Sequence, residues 1–166
     1  MNIEPFLINS YLSFKLGNEV FAANVGKILE VITLKEITKV PNYPSYMSGV
    51  TNLRGTVLPV ADMRIKFGMP PVESTIDTCI VVFKVEVDNK FTEGKTESVI
   101  LGAIVDAVQE VLEIDKENIL PTPTLGLKCN PEFIEGILKV KDSFIMLLNT
   151  DTIFSVREVT TINEMQ

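Results

Sequence analysis

The feature that most narrows the fold of this chain is an internal repeat. Glu30-Val31 falls on Glu110-Val111, and Val40-Pro41 falls on Leu120-Pro121, both at an offset of 80. Gly49-Val50 falls on Gly136-Ile137 and Asp62 on Asn149, at an offset of 87, while Phe14-Lys15 falls on Phe83-Lys84 at an offset of 69. The offset changes in polar or Gly/Pro-containing stretches, where insertions are tolerated because little packing depends on them. Each unit of roughly 65–80 residues reads as about five short strands with Gly/Pro turns and no long helix. Such a unit closes most economically as a small barrel, which removes exposed sheet edges. The expected fold is therefore all-β, with two barrels side by side: residues 1–70 and residues 71–166, the second carrying the C-terminal tail. Each is expected to have its own core, with Leu12, Phe14, Val50 and Val60 in the first and Val81, Phe83, Ile137 and Leu147 in the second.

Within the first unit, residues 11–16 and 19–25 read as strands around a Gly17-Asn18 turn. Residues 25–32 (VGKILEVI) fit a short helical turn or a bulged strand. Pro41 and Pro44 exclude helix and stiffen the loop that follows. Two apolar runs, 49–53 and 56–63, then flank Arg54-Gly55. Gly55 supplies a positive φ, so the pair reads as a hairpin turn with Arg54 at the tip. A guanidinium held at a rigid tip is a fixed fork of donors suited to a partner's carboxylate or carbonyl. An ordinary hairpin with a solvated arginine fits these residues equally well. The repeat places Lys141-Asp142 at the matching turn, so the fork is present in one unit only. In the second unit, residues 78–87 and 98–105 read as paired strands around a long polar loop, 88–97, expected to be flexible and dispensable. The first few residues are expected to be mobile. The tail after residue 151 is expected to dock at its start and fray at its end.

Composition excludes several function classes. The 166 residues carry a formal net charge of −7, which opposes sequence-independent binding to nucleic acid. There is no histidine, which removes Ser-His-Asp and Cys-His nucleophilic sites and HExxH zinc sites. Cys79 and Cys129 make no disulfide framework and read as packed, reduced thiols. Asp62, Asp106, Asp142 and Asp151 lack metal-ligand spacing, and no Gly-rich phosphate loop is present. No stretch is apolar over the ~18 residues of a membrane span. The expectation is a cytoplasmic, non-enzymatic protein without metal or cofactor.

With these residues in view, the chain resembles the CheW family of bacterial chemotaxis coupling proteins over about residues 9–150. The similarity is carried by YLSFKLGNEVFAANVGKILEVI, by VPNYPSYMSGVTNLRGTVLPVADMRIKFG and above all by the pattern GV-x-NLRG-x-[IV]-x-P-[IV]-x-D-x-R, present from Gly49 to Arg64. The resemblance implies two tandem, five-stranded, SH3-like barrels and an adaptor without catalytic activity. Its implied partners are the helical cytoplasmic tip of transmembrane chemoreceptors and the homologous regulatory domain of a histidine kinase, assembled in arrays and without direct membrane insertion. Carried over by position, receptor contact involves Ile28, Glu30, Gly49, Asn52, Arg54 and Gly55. The chain departs from the usual pattern at Ala23-Asn24-Val25-Gly26, where an acidic and a bulkier apolar residue are common. Asp62 and Arg64, two apart in a strand, read as a structural bridge to neighbouring strands. Kinase contact is assigned to no residue. The competing class is a stand-alone regulatory scaffold domain of the same fold with other signalling partners.

Overall fold

A computed structural model of the chain describes residues 9–88, 96–123 and 131–153. In order these form β1 (Ser10–Leu16), β2 (Glu19–Asn24), β3 (Ile28–Thr33), β4 (Met47–Leu53), β5 (Thr56–Asp62) and the one-turn helix α1 (Met63–Lys66). Then follow β6 (Cys79–Asp88), β7 (Thr96–Val105), β8 (Ala107–Glu113), β9 (Ile119–Leu120), β10 (Ile134–Val140), β11 (Ser143–Leu148) and the short helix α2 (Thr150–Ile153). The ambiguous VGKILEVI run is both of its alternatives: a 3-10 turn at Val25–Lys27, capped by Asn24, leads into β3. The register of β3 then shifts between Ile28 and Glu30. Of the expected flexible loop, residues 89–95 lie outside the described residues, as do residues 1–8, Cys129 and the tail from residue 154. The β6–β7 ladder runs out to the pair Asp88–Thr96.

The strands build two SH3-like β subdomains, but the sheets do not divide at residue 70. One sheet has the order β8-β1-β2-β11-β10-β9 and the other β3-β6-β7-β5-β4. The hairpin β1–β2 thus completes the sheet of the second half, and its counterpart β6–β7 completes the sheet of the first. The two orders are the same once repeat-related strands are matched, including a parallel pairing in each, β2 with β11 and β7 with β5. Strand number differs from the expected five only by the two-residue β9.

Closure depends on a close approach that the repeat preserves. Thr38 exchanges two 2.8 Å backbone hydrogen bonds with Val50, so the chain leaving β3 is fastened to the opposite edge strand, β4. The short β9 does the same in the second subdomain, pairing Leu120 with Ile137, the counterpart of Val50. Gly49 sits at the first crossing with φ +143°, and a Cβ there would lie 2.1 Å from the Thr38 carbonyl oxygen. At Gly136 a Cβ would lie 2.3 Å from Ile119 Cγ2. Gly49→Ala is therefore expected to lower stability by about 2–3 kcal/mol, since a backbone oxygen cannot swing aside. Chemical denaturation measures this loss.

The strand exchange also regroups the core, correcting the expectation of one core per half. The largest buried cluster holds Phe14, Leu16 and Phe21 from β1–β2 together with Val81, Phe83 and Leu101 from β6–β7. Each subdomain interior is smaller: Leu58, Val60, Ile80 and Val82 in one, and Tyr11, Ala22, Ile145 and Leu147 in the other. Residues of one parity in β6 face the subdomain interior, and those of the other parity face β1–β2. A hairpin apolar on both faces has two surfaces to cover, and here the two hairpins cover each other. Phe14 stacks on Phe21 and Phe21 on Phe67, and a tilted contact continues the junction to Phe133, with centroid separations of 6.2, 5.1 and 5.8 Å.

Polar groups tie the same junction. Asp62 does not bridge strands; it caps α1, accepting from Arg64 N at 3.0 Å. Arg64 lies in α1 rather than in a strand, and its guanidinium grips Asp106 at 2.8 and 2.5 Å. Asp106 also accepts from Gly17 N at 2.6 Å, so one carboxylate joins the β1–β2 turn, α1 and the β7–β8 corner. At the repeat-related place the polarity is reversed: Asp151, the counterpart of Arg64, pairs with Lys27 at 3.2 Å. Partial burial alone would raise the Asp106 pKa, but the hydrogen bonds from Arg64 and Gly17 and the nearby positive charges bring it below the usual value. The folded state therefore holds its proton more weakly than the unfolded chain. Its stabilising contribution is full above the unfolded value of about 3.9 and is lost as pH falls through the lower folded value. Asp106→Asn should cost about 1–3 kcal/mol near neutral pH. The gap between variant and wild type should close below about pH 4, as denaturation at a series of pH values would show.

Candidate functional site

Of the sequence-expected contact residues, the structure joins Glu30 to Arg54 and Asn52 to Gly55 at the β4–β5 turn, and it places Gly49 at the Thr38 crossing and Ile28 against the central core. The turn between β4 and β5 holds both central residues at positive φ, Arg54 at 51° and Gly55 at 85°. That is the backbone handedness of a tight two-residue hairpin loop, matching the right-handed twist of its strands. Asn52 clamps the loop: its side-chain oxygen accepts from Gly55 N at 2.7 Å. Gly49, as shown above, is required by the Thr38 crossing. Ile28 is half-buried and packs against the central core. Gly49, Asn52, Gly55 and Ile28 thus have local structural reasons for being what they are.

Glu30 and Arg54 remain as the groups that present chemistry outward. Arg54 Nη2 donates to Glu30 Oε2, joining the hairpin tip to β3 across the subdomain end. The Arg54 side chain is still 72% exposed against 32% for Glu30, so the guanidinium keeps donors free of its intramolecular partner. An ion pair this exposed contributes only about 0.2–1 kcal/mol to stability. Exposed apolar side chains occur on the same strands: Leu29 and Val31 precede and follow Glu30 on β3, Val31 on the face opposite Glu30, and Val57 follows the turn on β5. An open groove of ≈ 590 Å³ runs beside the turn, with Lys35, Glu36, Thr38, Asn52 and Val57 among its lining. The exposure of Leu29, Val31 and Val57 was missed in the sequence. Its signal is an edge strand, β3, that is apolar at both parities.

Little else in the described residues offers reaction chemistry. Burial pushes the Cys79 thiol up, away from the thiolate a nucleophile needs. Among the described residues no group of three or more Cys, Asp or Glu is placed to hold a metal ion.

Comparison with known proteins places this geometry in a family. The family model described as the CheW-like domain matches residues 10–158. The chain is 32% identical over 147 residues to the "Probable chemotaxis protein CheW" of Rhizobium etli, covering 89% of this chain and 88% of that protein. It is 30% identical over 143 residues to the "Chemotaxis protein CheW" of Helicobacter pylori, covering 86% and 79%. The crystal structure of the scaffolding protein TtCheW from Thermoanaerobacter tengcongensis superposes with a TM-score of 0.75 at 30% identity, covering 90% of each chain. A family model that spans nearly the whole chain and a solved relative of the same two-subdomain fold establish that this protein belongs to the CheW-like domain family.

Proposed function

We propose that this protein is a non-catalytic adaptor of bacterial chemotaxis. It couples transmembrane chemoreceptors, through their helical cytoplasmic tip, to the regulatory domain of a chemotaxis histidine kinase. The relatives' names, chemotaxis proteins and a scaffolding protein, support the class. The observation that carries the mechanism is the shared central core. Two subdomains that each complete the other's sheet behave as one rigid body, and a bridge needs two surfaces at a fixed separation. Its place is cytoplasmic, at receptor arrays reached through its partners; among the described residues no helix is long and apolar enough to cross a membrane.

The receptor surface in this reading is the Glu30–Arg54 end of the first subdomain. The open groove beside the turn, with exposed Val57 in its lining, accepts an apolar helix face, and the Arg54 fork meets a carboxylate or carbonyl beside it. Kinase contact lies on a different surface, which leaves the first free. Co-sedimentation of receptor cytoplasmic fragments with purified kinase tests the coupling. The kinase should enter the pellet only when this protein is present. Kinase that pellets equally without it, or a protein that binds neither partner, would refute the adaptor reading.

A further inference from the structure

The reciprocal exchange of hairpins has a consequence independent of the adaptor reading. Residues 10–66 supply β1–β2 to one sheet and β3, β4 and β5 to the other; residues 79–153 supply the reverse. Without β6–β7 nothing in the sheet links β3 to β5, and without β1–β2 nothing links β8 to β11. Neither half can therefore finish a subdomain, and each is shaped to receive the other. The polar ties at the junction, Arg64–Asp106, Gly17–Asp106 and Lys27–Asp151, likewise all join one half to the other.

Only the connector determines which copy of the other half is received. Residues 70–77 are all exposed and enter no strand, and Ile76 is fully exposed. The hydrogen bonds of this connector are mostly its own: Thr78 N to Thr75 O at 3.2 Å, Thr75 N to Thr78 Oγ1 at 2.8 Å and Asp77 N to Thr75 Oγ1 at 3.1 Å. Pro70 O accepts a long 3.5 Å contact from Arg64 Nη1 of the body. Pro70-Pro71 makes its start stiff and extended, which favours leaving the body over folding back.

We propose that a second copy of this chain is a partner for each half, giving a closed two-fold dimer by exchange of halves. Each globule then takes residues 10–69 from one copy and 79–153 from the other, with residues 70–78 as the hinge. Every strand pairing, core contact and ion pair between halves is kept, and only the connector changes course. This is the general condition under which domain swapping is cheap. An adaptor joined in this way would present two copies of each docking surface.

Complementary lesions in full-length chains test the exchange. Leu58→Ala damages a first-half core position and Leu147→Ala a second-half one, both almost fully buried. Unfolded together at high concentration and refolded, they should give a dimer containing one globule free of both lesions. That globule should melt at the wild-type temperature, a transition absent from either variant alone and from variants mixed while folded. If a variant alone fails to fold, the rescued transition still reports exchange. A co-refolded mixture that melts only as the two separate variants would overturn the proposal. So would wild-type protein that refolds solely to a monomer at every concentration, by light scattering.

Discussion

Phe21→Ala is expected to destabilise the whole molecule by about 3–5 kcal/mol, in a single transition rather than in one subdomain. The ring is almost fully buried on β2, stacks between Phe14 and Phe67, and belongs to the cluster that β1–β2 shares with β6–β7. Its removal leaves a cavity at the junction, where neither subdomain can collapse to fill it without shifting the other. Val81→Ala, on the facing hairpin, should act in the same transition at about 1–3 kcal/mol, the smaller loss following from the smaller side chain. Calorimetry and two local probes, one in each subdomain, measure this. Two separated transitions would mean that the subdomains fold independently despite the strand exchange.

The second large effect concerns recognition. Arg54→Ala should change stability by less than about 1 kcal/mol, because the side chain is exposed and its ion pair is weak. Binding of a receptor cytoplasmic fragment should weaken by about 2 kcal/mol or more, the order of an interface hot spot. That is roughly 30-fold in Kd. Arg54→Lys should recover part of it, since an ammonium keeps the charge and loses the planar fork. Lys141→Ala, at the matching turn of the second subdomain, should leave receptor binding unchanged. The charge-swapped pair Glu30→Arg with Arg54→Glu separates two roles. Restored binding would mean that the ion pair only holds β3 to the hairpin. Binding that stays weak means that the guanidinium meets the partner. Titration calorimetry with each variant reads both outcomes.

What the sequence disclosed was local. The Arg54-Gly55 turn, the matched Gly49 and Gly136 and the repeat itself follow from φ preferences and short apolar runs, and all stand in the structure. The strand exchange did not follow, because a repeat says that two units are alike and not which strands pair. A hint was present in TCIVVFKV, apolar at consecutive positions rather than alternately, as befits a strand covered on both faces. Asp62 and Arg64 were legible as structural residues, but not their partners. The chain turns into α1 after Asp62, and the Arg64 guanidinium leaves the strand surface for Asp106, 42 residues away. Glu30 and Arg54, 24 residues apart, meet only because the subdomain closes through the Thr38–Val50 crossing. Pair contacts of this kind belong to tertiary structure, and no spacing rule exposes them.

A rigid bridge needs two separate docking surfaces, and amide chemical-shift mapping with each partner in turn tests this most directly. A receptor cytoplasmic fragment should perturb Leu29, Glu30, Val31, Arg54 and Val57 and leave the second subdomain's Lys141 turn untouched. The kinase regulatory domain should perturb a different set, and both sets should respond together when the two partners are present. If the two partners shift the same amides and displace one another, the protein cannot bridge them.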